Sequence, residues 1–288
     1  MLRSRVIPCL LVRNNGLVKT VRFGDDKYVG DPINAVRIFN EKQVDELIVV
    51  DIDASVQNRE PDFKMIENLA AECRMPLCYG GGIKTADQAR RIMSLGVEKV
   101  AISSAVIQRP SLISEIAEQV GNQSVVVVLD VRKTKNGPDY TVWIHNGKQD
   151  TGKCPIVLAK EFVALGAGEI VTNSIDRDGC MKGFDLDLIA RVREAIQVPM
   201  TVMGGAGSFE DLAQVVRLHG PIGVAAGSLF VFKGVYRAVL ISYPSSIEKN
   251  SFNKESEKLS NTASKFNDLG KTIKTENTLN SIIKFFTK

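Results

Sequence analysis

Histidine is almost missing from this sequence: His145 and His219 are the only two in 288 residues, and neither has a second histidine or a cysteine cluster nearby. A structural zinc site needs about four such ligands at close spacing, so no metal is expected, nor an organic cofactor. The five cysteines (Cys9, Cys73, Cys78, Cys154 and Cys180) are an odd number without CxxC spacing, and three lie in apolar stretches. That usage fits reduced thiols rather than a disulfide framework. The sequence shows no charged-apolar-small leader and no apolar run long enough to span a bilayer. A cytoplasmic protein with no membrane insertion is the expectation. Charge of one sign is scarce as well. The net charge is +4, and 8 Lys against 5 acidic residues follow Tyr243, which leaves the rest of the chain near neutral. A nucleic-acid partner, which needs clustered basic residues to displace counterions, is not expected.

What is present is a 44% hydrophobic chain, enough for one large core. Short Val- and Ile-rich runs alternate with segments of helical period: Val6 to Val12, Glu46 to Ile52, Leu77 to Tyr79, Lys99 to Ile102, Val125 to Leu129, Glu169 to Asn173, Met200 to Met203 and Gly223 to Ala226. Runs apolar on both faces suit parallel strands covered by helices. Two of the covering segments are Ala86 to Met93 and Leu186 to Arg193. The halves also echo each other. Glu46 to Asp53 reappears as Glu169 to Asp176, and Gly81 to Thr85 as Gly204 to Ser208, both 123 residues on. The expected fold is α/β, a (β/α)8 barrel with a twofold internal half-barrel repeat. It is expected over residues 1–244, with a polar, disordered tail over 245–288 in which 278–286 could form a short amphipathic helix.

In such a barrel the C-terminal ends of the strands build the active site. Gly80-Gly-Gly82 follows the third strand and Ser103-Ser104 the fourth; Gly204-Gly-Ala-Gly207 follows the seventh and Gly227-Ser228 the eighth. Glycine lets a backbone approach a ligand closely, and hydroxyls with N–H donors suit phosphate. Two opposed sites imply a small molecule with a phosphate at each end. Asp130 closes an apolar strand, where a desolvated carboxylate can transfer protons if its pKa is tuned, although helix capping or pairing with Arg132 or Lys133 are alternatives. Its counterpart in the first half is Leu11. Asp51, Asp53, Asp176 and Asp178 also stand at strand ends, and an Asp176–Arg177 ion pair would make one of them structural. Arg5, Glu46, Lys99 and Glu169 stand at strand beginnings, where a ring of them would form a charged constriction over the barrel axis. His145 reads as part of a hairpin turn and His219 as a helix end, both structural or surface positions.

These motifs carry a resemblance. From Met1 to about Pro244 the chain resembles the cyclase subunit of imidazole glycerol phosphate synthase, HisF, through Arg5-Val-Ile-Pro-Cys9, Gly30-Asp-Pro32, Asp45-Glu-Leu47, Asp51-Ile-Asp-Ala-Ser55, Gly80-Gly-Gly-Ile83, Gly166-Ala-Gly-Glu169, Asp176-Arg-Asp-Gly179 and Gly204-Gly-Ala-Gly207. The resemblance implies a TIM barrel that receives ammonia from a separate HisH-type glutaminase docked on its N-terminal face. Arg5, Glu46, Lys99 and Glu169 match the family's ammonia gate and Lys19 the lysine of its first loop. Asp130 and Asp178 match catalytic aspartates. Asp51, Gly81, Gly82, Ser103, Ser104, Asn173, Gly179, Gly204, Gly205, Gly227 and Ser228 match positions that hold substrate and phosphate. The chain departs from the family at Leu11, where a catalytic aspartate is usual, and at Ser103, Asp53 and Asn173, where asparagine, threonine and threonine are usual.

A branch of HisF-like proteins from surface-polysaccharide clusters is similar in finer detail, through Leu17-Val-Lys-Thr20, Tyr28-Val-Gly-Asp-Pro32, Pro76-Leu-Cys-Tyr-Gly-Gly-Gly-Ile83 and Ala226-Gly-Ser-Leu-Phe-Val-Phe232. That branch implies amidination, acetamido to acetamidino, of a phosphorylated or nucleotide-linked sugar precursor. An amidine needs no ring closure, so leucine at position 11 is tolerable there. Two alternatives stay open: the imidazole glycerol phosphate synthase reaction itself, and a non-catalytic chain that only activates a glutaminase.

Overall fold

The computed structural model describes residues 3–134 and 139–252. Eight parallel strands close on themselves: β1 (Arg5–Arg13), β2 (Leu47–Asp51), β3 (Leu77–Gly80), β4 (Lys99–Ile102), β5 (Val125–Lys133), β6 (Glu169–Ser174), β7 (Met200–Met203) and β8 (Gly223–Ala226). Each pairs with its neighbours in sequence order, and β8 returns to β1. Alternation of side chains along each strand separates two cores. Ile7, Cys9, Ile48, Cys78, Ala101, Val126, Val171 and Ala225 fill the interior, while the other face packs under the helices. The (β/α)8 fold expected from the alternating pattern is the fold observed.

The covering helices are α1 (Pro32–Glu41), α2 (Phe63–Glu72), α3 (Ala86–Ser94), α4 (Leu112–Val120), α5 (Pro155–Ala164), α6 (Leu186–Ala195) and α7 (Phe209–His219). Three of them repeat in position, and two of those three repeat their caps. The starts of α1, α2 and α3 recur 123 residues later in α5, α6 and α7. Asp62 and Asp185 cap α2 and α6 through the backbone N–H of Met65 and Leu188, and Thr85 with Gln88 and Ser208 with Asp211 form capping boxes on α3 and α7. Each such cap is worth about 1 kcal/mol, so the same start signals are written twice. Phe39 on α1 and Phe162 on α5 are both fully buried at equivalent positions.

Both halves also fold a hairpin back over the mouth of the barrel. After β1, strand Gly16–Thr20 pairs antiparallel with β1, and Asp26–Gly30 pairs with it in turn; after β5, strand Tyr140–Ile144 pairs with β5. After β8 the chain makes a short helix, Ser228–Val231, and a small hairpin before descending the outer wall. There the Tyr243 hydroxyl donates to the Val6 carbonyl at 2.8 Å. Helical structure continues past the expected boundary at 244, over residues 246–252, because Phe252 is buried and Lys249 pairs with Asp45 at 2.6 Å. The remainder of the expected tail, including 278–286, lies outside the described residues. Among the described residues no helix is long and apolar enough to cross a membrane.

Candidate active site

At the C-terminal ends of the strands one pocket collects most of the positions singled out by sequence. Asp51, Gly81, Gly82, Ser103 and Ser104 line one side; Asn173, Gly204, Gly205, Gly227 and Ser228 line the other; Lys19, Asp130, Asp178 and Gly179 lie between. The glycine loops are shaped by necessity. Gly81 and Gly204 have φ of +118° and +92°, and a Cβ there would run into the carbonyls of Asp51 and Ser174. Only glycine takes that backbone beside that carbonyl without strain.

Asp130 accepts from Asn173 Nδ2 at 2.8 Å on one oxygen and from Ser103 Oγ at 3.5 Å on the other. Burial pushes its pKa up to about 6, against those two donors and with help from the nearby Asp178 carboxylate. A carboxyl in that range exchanges protons readily near neutral pH. Asp178 is raised for the same first reason, burial, opposed by the Lys19 charge and by the Thr20 hydroxyl at 3.3 Å. Lys19 itself is buried, donates to the Cys9 carbonyl and is depressed by desolvation. Gly227 lies against its Nζ, where any side chain would intrude.

The register fixes what faces what. Asp130 pairs with Asn173 across β5 and β6, and Leu11 pairs with Val50 across β1 and β2. Leu11 and Val50 both line the pocket, so its two halves differ in character at one level of the barrel. Neither capping nor Arg132 nor Lys133 accounts for the Asp130 contacts.

Other carboxylates order loops. Asp51 accepts the backbone N–H of Asp53 and Ala54, each at 3.0 Å, and Arg59 at 3.3 Å. Asp53 holds Arg13 through two bonds of 2.9 and 3.0 Å. Asp176 takes the Lys133 N–H at 2.9 Å, which corrects the expected pairing with Arg177: that guanidinium donates to the Gly183 carbonyl. His145 stands in the expected hairpin turn, but the turn is at the pocket and not merely a structural or surface position. With Asn146 it lines the pocket, and its N–H donates to Ser104 Oγ at 3.2 Å, because the hairpin after β5 folds back over the mouth. Arg13, Phe23, Ser55 and Met203 are further lining residues that sequence reasoning missed. The repeat was a usable signal for the hairpin, since the equivalent hairpin of the first half carries Lys19.

Arg5, Glu46, Lys99 and Glu169 sit together at the opposite end of the axis. Arg5 bonds Glu46 and, at 2.7 Å, Glu169; Lys99 bonds both acids at 2.9 Å. Thr201 donates to Glu169 at 2.6 Å. Burial alone would raise the Glu169 pKa, but Arg5 and Lys99 hold it down at about 2. Between this ring and the pocket run the interior side chains, among them Cys9, Cys78 and Ala101. Among the described residues no group of acids, cysteines and histidines could hold a metal ion.

A closed parallel barrel with a tuned carboxyl and paired glycine loops at its strand ends has the architecture of the (β/α)8-barrel enzymes. Within that class the chain belongs to the histidine biosynthesis protein family, whose profile matches residues 5–237. It is 56% identical over 249 residues to a provisionally named imidazole glycerol phosphate synthase subunit HisF of Leptospira borgpetersenii, covering 86% of this chain and 98% of that one. It is 57% identical over 249 residues to a provisionally named subunit hisF3 of Vibrio vulnificus, covering 86% and 96%. To the imidazole glycerol phosphate synthase subunit HisF of Streptococcus mutans it is 39% identical over 230 residues, covering 80% and 91%.

Proposed function

We propose that this chain is the ammonia-using subunit of a two-part synthase. A HisH-type glutaminase docks at the end of the barrel that carries the Arg5–Glu46–Lys99–Glu169 ring and releases ammonia there. The ammonia crosses the barrel interior to a phosphorylated or nucleotide-linked substrate held by the glycine loops. The observation that carries this reading is the placement of that ring on the same axis as the Asp130 pocket. The nitrogen lone pair forms a bond to an electrophilic carbon, and the displaced π pair moves onto that carbon's oxygen or nitrogen. Asp130 takes the proton that the new ammonium-like nitrogen must lose. We assign glutamine hydrolysis to the partner: no cysteine of this sequence stands in a nucleophile turn with a histidine in triad context. The two cysteines inside the barrel are held as thiols by burial, Cys9 pushed up to about 11 and Cys78 well above its usual range. Neither is a thiolate near neutral pH.

The substrate we favour is a sugar precursor whose acetamido group, activated on its oxygen by a phosphoryl or nucleotidyl group, becomes acetamidino: after ammonia adds and Asp130 takes the proton, the nitrogen lone pair re-forms a C=N bond and the oxygen leaves with its activating group. Leu11 beside Val50 supports it: the pocket has an acid on one side and an aliphatic wall on the other, which suits a single proton acceptor more than ring closure between two. The likeness to the Streptococcus mutans protein supports a second reading, the conversion of phosphoribulosyl-formimino-aminoimidazole carboxamide ribotide and ammonia to imidazole glycerol phosphate. Ammonium salts with the histidine-pathway substrate separate the two. The first reading predicts no turnover by the wild-type chain and a gain in Leu11→Asp. Turnover of wild type at an enzymatic rate, between about 1 and 1000 per second, would establish the second.

A further inference from the structure

The same register at the two sides of the mouth carries different chemistry. Val50 and Asn173 are 123 residues apart, the spacing of the repeat, and their strand partners at the mouth are Leu11 and Asp130. Asn173 is 2% exposed, and while its Nδ2 serves Asp130, its Oδ1 is buried without a hydrogen-bond partner. An orphaned buried acceptor is unfavourable. Valine, which fills the equivalent place in the first half, would avoid it. What the amide supplies and valine lacks is the donor to Asp130. Ser103 at 3.5 Å stands at the limit of a hydrogen bond and cannot replace it.

We propose that Asn173 is the positioning residue of Asp130, holding its carboxylate in place at the barrel mouth, a pairing that Leu11 with Val50 does not reproduce at the equivalent places. The site then runs on one acid and one amide. Charged groups reach Asp130 from several elements: Asp178 in the loop after β6 raises its pKa, and Cys9 on β1 feels its charge. Lys19, on the hairpin after β1, acts on Cys9 and Asp178, and Arg13, Asp51 and His145 line the remaining wall. The inference rests on the proposed ammonia chemistry for what Asp130 does, though not for how it is held.

Carboxyl ¹³C NMR on aspartate-labelled protein tests it, with the Asp130 signal assigned by its loss in Asp130→Asn. Asn173→Leu, close in volume and without the donor, is expected to move the Asp130 titration upward by about one to two units. Leu11→Asp creates a buried carboxyl facing Val50. Its titration is expected to fall by a similar amount when Val50→Asn is added, and that pair of variants decides the matter if Asn173→Leu does not fold. An Asp130 titration unmoved by Asn173→Leu, or a Leu11→Asp titration indifferent to residue 50, would overturn the assignment. Ammonium-driven turnover should show the same displacement in its pH profile. Absence of nitrogen transfer by wild type to every candidate acceptor would count against the proposed function and leave the titration result standing.

Discussion

Replacing Arg5 by methionine removes one corner of the ion-pair ring and leaves Glu46 and Glu169 to share Lys99 as the cation of the ring, with Thr201 still donating to Glu169. The cost can be worked from Glu169, which is buried and whose pKa is held at about 2 against an ordinary 4.5. A depression of that size corresponds to roughly 3 kcal/mol of folded-state stability. It is of the same order as the 3–5 kcal/mol expected when one partner of a buried ion pair is lost. Because the folded pKa lies below the unfolded one, the contribution is full above pH 4.5 and is lost as pH falls toward 2. About half or less remains at pH 3. Arg5→Met should therefore lower the melting temperature at pH 7 by roughly 6–12 °C for a chain of this size, and the gap to wild type should narrow as the pH is lowered. Calorimetric melts of both proteins at pH 7 and pH 3 measure it. Equal melting temperatures at pH 7, or a gap that does not narrow in acid, would refute the claim that the ring is a set of desolvated, mutually dependent charges.

Asp130→Asn should reduce ammonium-driven turnover by about 10²- to 10⁴-fold, and wild-type rates compared at equal free ammonia should rise with pH through about 6 as the carboxyl ionises; a flat profile at equal free ammonia would remove Asp130 as the base. Gly227→Ala presses a methyl group onto Lys19 Nζ and should destabilise by about 1–3 kcal/mol in urea titrations, with loss of activity beyond the unfolded fraction. Thr85→Ala and Ser208→Ala should each cost about 1 kcal/mol and add to within about 0.5 kcal/mol, since each removes one of two separate capping boxes.

Much of this barrel can be read in the sequence because parallel strands are apolar on both faces and because each half repeats its stop and start signals. The glycines after β3 and β7 and the Leu11 mismatch with Asp130 follow from that periodicity. What escapes is pairing between residues far apart in sequence. That Arg13 is clamped by Asp53, that Asp176 serves the Lys133 backbone and not Arg177, and that Asn173 gives its donor to Asp130 depend on strand register. His145 reaches the pocket only because its hairpin folds back along β5, and a hairpin turn in sequence does not reveal the direction of that fold. The helix over 246–252 is polar enough to pass for tail, and Phe252 and the Lys249–Asp45 pair anchor it.

In the proposed function nitrogen travels inside the barrel from the charged ring to Asp130. The most direct test of that route is to purify the chain with a HisH-type glutaminase and supply amide-¹⁵N glutamine and a candidate acetamido-sugar acceptor in the presence of excess unlabelled ammonium at a pH where little of it is free ammonia. Product enriched in ¹⁵N well above the bulk ammonium pool is expected, with that enrichment reduced in Arg5→Met. Product carrying only the isotope ratio of the bulk pool, or glutamine consumed with no labelled nitrogen in any product, would contradict that route.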